Sequence, residues 1–188
     1  MNINKIMESI SKILPFKGVF PQLSNGAFIA ENSILIGDVF LGENSSIWYN
    51  CVLRGDVNHI RVGNNTNIQD GSVVHVSSSG FSATGGQGHP TKIGNNVTIG
   101  HNATIHACII EDFSLIGMGS IILDGAVISE MSFVAAGAII TPGTTVKKGE
   151  LWAGNPARFV RTINKKEEQL IINTPEVYSH LREEFLKK

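Results

Sequence analysis

The sequence has little of what several functional classes need. Only two of its residues are cysteine, Cys51 and Cys108. One pair cannot build a disulfide framework, so a reducing, cytoplasmic setting is expected. Lysine and arginine number 15 against 16 aspartates and glutamates, and there is no basic run. The electrostatic footprint of a nucleic-acid binder is missing, and so is that of a protein held on an anionic membrane surface. No apolar run approaches the roughly 20 residues that span a bilayer. Aromatic residues make up 7% of the chain, while glycine reaches 20 of 188 residues. That balance argues against a conventional sandwich and for short strands joined by many tight corners.

What is present is a period of six. Ile29, Leu35, Leu41, Ile47 and Leu53 form one series, Val62, Ile68 and Val74 a second, Ile93, Ile99 and Ile105 a third. The longest runs Ile110, Ile116, Ile122, Ile128, Val134, Ile140, Val146. Four residues after these positions the side chain is small or thin, as at Ser45, Cys51, Thr66, Ser72, Ala103 and Ser120. The position directly after the aliphatic residue is often glycine (Gly42, Gly63, Gly94). Neither a helix nor a long strand has this period. Three short strands of six residues close an 18-residue coil, with the aliphatic residue inside and each coil stacked on the last. The expected fold is therefore an all-β solenoid, a left-handed parallel β-helix over residues 29–149. An N-terminal extension and lead-in would occupy 1–28, and a linker with a C-terminal α-helix 150–188.

Breaks in register mark insertions. Leu53 to Val62 is three residues too long, Val74 to Ile93 thirteen too long, and Ile105 to Ile110 one too short. The long excess is rich in Ser and Gly and should loop outward. At the N-terminus, Ile3, Ile6, Met7, Ile10 and Ile13 have helical spacing, and Pro15 ends the run. This segment has no Arg and contains Glu8, unlike a transit peptide, and reads as a short packing helix. At the other end, Thr174 suits an N-cap and Pro175 a first helical position. A helix over about 175–187 is expected, preceded by a helical turn or two, with Val177, Tyr178, Leu181 and Phe185 as its apolar stripe.

The coil brings distant histidines together. His75 and His106 are 31 residues apart; without the thirteen-residue loop they are 18 apart, one coil, on the same wall. Each follows an inward aliphatic residue, so each faces out, and stacked strands lie about 4.8 Å apart. Two imidazoles at that spacing can share one metal. His101 lies near a corner on the preceding wall and points away, so a neighbouring subunit of a trimer would have to supply the third ligand. Three neutral histidines with one open position is a catalytic zinc pattern, although Fe or Co suits the same donors.

The stretches "VLRGDVNHIRVGNNTNIQDGSVVHV", "IGHNATIHACIIEDFSLIGMGSIILDGA" and "LWAGNPARFVR" resemble the γ-class carbonic anhydrases. The resemblance implies a homotrimer whose metal ligands are His75 and His106 of one subunit and His101 of the next. It implies reversible CO2 hydration to bicarbonate by metal-bound hydroxide, usually on zinc. Gln69 matches the residue that hydrogen-bonds that hydroxide, and Asp70 its orienting neighbour. Read from the coil alone, Gln69 faces out beside His75, and Asp70-Gly71 could simply make a turn. Arg54 and Asp56 match an intersubunit ion pair near the site, or else form an ordinary surface pair. Tyr178 resembles a tyrosine that lies over the site, or else belongs to the helix stripe.

There are departures from the family pattern. Val57 stands where the prototype has a glutamate, and the loop after His75 lacks the prototype's acidic shuttle residue. That loop carries His89, a group suited to proton transfer or merely solvated. Weak or absent hydration is therefore expected. The alternatives are acyl transfer to or from coenzyme A, or thioesterase action, on the same solenoid, and a non-catalytic metal-binding or assembly subunit.

Overall fold

The structure, a computed structural model, describes residues 13–187. The expected N-terminal helix lies outside the described residues, except that Ile13–Leu14 form a strand and not a helical turn. From there the chain winds as a parallel solenoid with three walls. The first wall stacks Ile13–Leu14, the start of Ile34–Leu41, the start of Val52–Val62, Val73–His75, Thr104–His106, Ile121–Ile122 and Ile139–Ile140. The second stacks Gln22–Leu23, the far halves of the two long strands, Thr91–Ile93, Ile109–Ile110, Val127–Ile128 and Thr145–Val146. The third runs from Phe28–Ile29 to Glu150–Gly154 and is closed by the antiparallel Ala157–Thr162. Among the described residues the parallel ladder thus begins at Ile13, ahead of the first six-residue series.

The six-residue aliphatics fill the interior: Leu35, Leu41, Ile47, Leu53, Ile68, Ile99, Ile105, Ile116 and Ile122 are fully buried. The small residues near the corners do more than fit. The Ser45 hydroxyl donates to the Gly63 carbonyl one coil on, Thr66 to Gly94 (2.7 Å) and Ser72 to Gly100 (3.1 Å). The same hydroxyls accept from the amides of Thr66, Val97 and Ala103. Corner carbonyls that no strand partner reaches are satisfied this way, and a buried unpaired carbonyl would be costly.

Glycine and asparagine divide the labour at the corners. Asn44, Asn65 and Asn96 take the left-handed φ, at 58°, 52° and 54°, which asparagine tolerates. The preceding Gly42, Gly63 and Gly94 lie where coils touch. A Cβ on Gly63 would sit 2.6 Å from the Gly94 backbone.

The insertions fall where the register breaks. Pairing passes from Gly37–Gly55 to Val39–Ile60, so the three extra residues bulge at the corner holding Asp56, Val57, Asn58 and His59. The short corner closes through Ala107, with φ 52°.

The C-terminal helix is longer than expected. It spans Lys165–Leu186 and is capped by Asn164 in a capping box with Glu167, so Thr174 is not its N-cap and Pro175 lies inside it. Proline costs one backbone hydrogen bond there, and the Thr174 hydroxyl donates to the Leu170 carbonyl beside it (2.7 Å). The buried face is rotated from the expected one and keeps only Tyr178 and Phe185 of the stripe. Ile171, Pro175 and Arg182 are buried, while Val177 and Leu181 of the expected stripe are 55% and 42% exposed. Tyr178 and Phe185 pack on Trp48 with centroids 5.4 and 5.3 Å away, and Arg182 donates to the Gly26 carbonyl.

Candidate metal centre

His75 and His106 pair directly in register across the first wall. His75 Nδ1 and His106 Nε2 face each other at 3.3 Å. Each ring is held from behind by a carboxylate. His75 Nε2 lies 3.0 Å from Asp56 Oδ1, and His106 Nδ1 lies 2.6 Å from Asp124 Oδ1. An ionised carboxylate only accepts, so each places the ring proton on the nitrogen it contacts. Two lone pairs are then left pointing at each other. Burial by itself would raise both carboxyls. For Asp56 the hydrogen bonds from His75 and Arg54 outweigh it, and for Asp124 those from His106 and the Ala83 amide do, so both stay below the usual range. Burial pushes the His75 imidazolium down, with Asp56 only partly opposing, which favours the neutral ligand form.

This arrangement fits a tetrahedral cation. With metal–nitrogen bonds of about 2.0–2.1 Å, two ligands of a tetrahedral zinc stand roughly 3.3–3.4 Å apart. A carboxylate behind each ligand is the usual support of such a site. One chain does not complete it: among the described residues no three His, Cys, Asp or Glu side chains are placed to hold a metal ion together.

His101 sits at the corner between the third and first walls. It is fixed there by backbone stacking, since Asn102 donates to the Asp70 carbonyl and Gly119 to that of His101, both at 2.8 Å. Asn102 supplies the left-handed φ of 57°. His101 Nδ1 is 2.9 Å from Asp70 Oδ2, so all three histidines have a carboxylate partner.

The remaining predicted residues divide between two places. Arg54 bonds Asp56 of its own chain, where the resemblance implied a pair between subunits. Asp56 reaches both Arg54 and His75 because the three-residue bulge turns it back over the first wall. Gln69 is not beside His75: six residues and a corner separate them, and the structure seats Gln69 on the third wall. It is buried there and donates to Asn67 Oδ1 at 3.1 Å. With His101, Met118, Phe133, Leu170 and Tyr178 it lines a cleft of about 380 Å³. Burial, with the nearby charge of Asp70, pushes the Tyr178 phenol up. His89 bonds Thr84 Oγ1 at 2.6 Å inside its own loop. Asp124 was not singled out from sequence: the short corner after Ile105 makes this coil 17 residues, so Leu123 stacks on His106 and Asp124 reaches it from the next position, at the corner.

Comparison with known proteins gives the family. "Gamma carbonic anhydrase 1, mitochondrial" of Arabidopsis thaliana is 47% identical over 95% of this chain and 65% of its own length. "Carbonic anhydrase" of Geobacillus kaustophilus is 45% identical over 82% of this chain and 80% of its own. The chain belongs to the γ-class carbonic anhydrase family. It spans only about two thirds of the Arabidopsis relative. A family model described as "Dynactin subunit 5" also matches residues 8–186. The hexapeptide transferase family protein from Anaplasma phagocytophilum superposes with a TM-score of 0.84 at 46% identity, covering 92% of this chain and 97% of that one. The γ-class solenoid is thus the left-handed parallel β-helix of hexapeptide-repeat proteins. Among the described residues no helix is long and apolar enough to cross a membrane.

Proposed function

We propose that this chain is a metal-dependent, carbonic anhydrase-type enzyme for the reversible hydration of CO2, acting as a homotrimer. Its metal would be held by His75 and His106 of one subunit and His101 of the next. The observation that carries the reading is the facing pair of ring nitrogens at 3.3 Å with Asp56 and Asp124 behind them. Zinc in that place supplies Lewis-acid chemistry and a hydroxide nucleophile near neutral pH; Fe or Co suits the same donors. The free, buried cysteines support a reducing, cytoplasmic location.

The chain's own residues have definable tasks. Asp56, Asp124 and Asp70 hold the three imidazoles in the ligand tautomer. Gln69 has its amide nitrogen engaged with Asn67, so it offers the cleft a carbonyl oxygen, an acceptor that can orient the reacting hydroxyl. Met118, Phe133 and Leu170 give CO2 an apolar approach. The proton exit is the weak part. Residues 77–90 contain no Asp or Glu, so proton transfer to buffer should limit turnover.

Acyl transfer is disfavoured because its histidine base must face a hydroxyl substrate, and here His75 faces His106. Coenzyme A binding would support that alternative. Zinc binding without hydration would support a non-catalytic subunit.

Stopped-flow CO2 hydration by the zinc-loaded protein tests the proposal. The expected result is a slow rate that rises with imidazole buffer concentration and is lost in His106→Ala by 100-fold or more, about the contribution of a metal-supplied nucleophile. Equal rates for the two proteins would remove it.

A further inference from the structure

Asp124 faces His106 on one side and the 77–90 loop on the other. Oδ1 accepts from His106 Nδ1 at 2.6 Å, and Oδ2 accepts from the Ala83 amide at 3.3 Å. Ala83 lies in the middle of the long insertion between His75 and Thr91. That loop meets the solenoid wall again around the same place. Thr84 Cγ2 would be 3.0 Å from a Cβ on Gly125, and 3.9 Å from one on Gly143. The Thr84 hydroxyl holds His89 at 2.6 Å. The base of the loop is tied by Ser77 and His89, whose backbones bond at 3.0 Å, with the Ser77 hydroxyl accepting from the His89 amide at 2.9 Å. The tip of the loop therefore rests on the wall at Asp124, Gly125 and Gly143. Its hydrogen bonds to Asp124, from the Ala83 amide and the Ser82 hydroxyl, go to the carboxylate that orients His106. Asp124 is itself 4% exposed, so it cannot swing to water to serve one partner without leaving the other.

We infer that Asp124 is a positioning residue that couples metal binding at His106 to docking of the 77–90 loop. The inference rests on the metal-site reading above and adds a regulated element to it. The carboxylate must accept on both oxygens, because both neighbours donate. With the metal bound, the His106 proton is confined to Nδ1 and the carboxylate is held in place, which fixes the acceptor for Ala83. With the loop docked, the carboxylate is held from the other side, which fixes His106. Coupling of binding free energies is reciprocal: a metal that tightens the loop must itself be tightened by the docked loop. The loop would then close over the ligand pair when the site is loaded and loosen when it is not.

Three proteins test this by zinc affinity in chelator competition and by hydrogen exchange of residues 77–90, with and without zinc; neither readout is activity. Asp124→Asn keeps the shape but can accept on one oxygen only, so it can serve His106 or Ala83 and not both. Its zinc affinity should fall by about 10–100-fold, the usual cost of removing a partner behind a ligand, and zinc should no longer slow exchange in the loop. Ala83→Pro, made together with Ser82→Ala, removes both loop donors to Asp124 in an exposed segment and leaves every ligand and Asp124 intact. It should bind zinc more weakly by several-fold, and its loop should exchange at the same rate with and without zinc. A role of Asp124 confined to folding would not move zinc affinity in this double variant. In the unmodified protein zinc should slow loop exchange by the same factor that docking tightens zinc. Wild-type affinity in the double variant, or loop exchange indifferent to zinc in the unmodified protein, overturns the coupling while leaving the metal site standing. Failure of the unmodified protein to bind zinc overturns the metal-site reading, and this inference with it.

Discussion

Gly63 marks how closely neighbouring coils approach. A methyl group there would meet the Gly94 backbone at 2.6 Å, and backbone in a stacked coil cannot step aside. Gly63→Ala should cost about 1–3 kcal/mol, as overpacking does, read as a lower midpoint in urea with an unchanged slope. An unchanged midpoint would mean that the coils can spread. The glycine pattern was visible in the sequence, but its cause was not: the left-handed φ belongs to the neighbouring asparagines. Asp124 shows the same limit. The register stacks Leu123 and not Asp124 on His106, an aspartate before a glycine at a corner reads as turn chemistry, and only the 2.6 Å contact shows its role. Gln69 was matched to its family role from the motif, while its neighbours were misplaced because the corner after Asp70 changes walls.

The C-terminal helix is held at both ends. At its start Arg161 binds Glu167 through both nitrogens, at 2.7 and 2.8 Å, and Glu167 closes the capping box on the Asn164 amide. The hydrogen bond from Arg161 holds the Glu167 carboxyl down at about 2, against an ordinary 4.5. A folded-state value below the unfolded one means a contribution present above about pH 4.5 and lost as pH falls towards 2. The unmodified protein should therefore exceed Glu167→Gln in thermal midpoint at about pH 6, modestly because the pair is exposed. The two should converge in acid. A gap independent of pH would contradict this account. The element was legible as a helix from its apolar spacing. Its start and buried face were not, because Pro175 after Thr174 imitates a helix beginning, and because a buried Arg182 does not look apolar. Its burial depends on the Gly26 carbonyl and Asn44, more than 130 residues away.

For the molecule as a whole, the fold was almost entirely written in the spacing of its aliphatic residues, because a stacked coil demands the same residue type at the same place in every turn. The site was legible only in part. Register put His75 over His106, but no arithmetic within one chain brings His101 to them, and the described residues of one chain form no three-ligand group. In the proposed homotrimer the site is shared between chains. Mixing two inactive variants, His101→Ala and His106→Ala, tests it directly. Each alone should lack tight zinc. Once refolded together, their mixed trimers should regain about one tight zinc each, against about three in the unmodified trimer, because a closed three-fold ring of two variants contains one interface with all three histidines. Zinc per chain, measured after co-refolding, is the decisive number. Recovery to about one per mixed trimer is predicted; no recovery, or tight zinc in either variant alone, would contradict a metal site built across subunits.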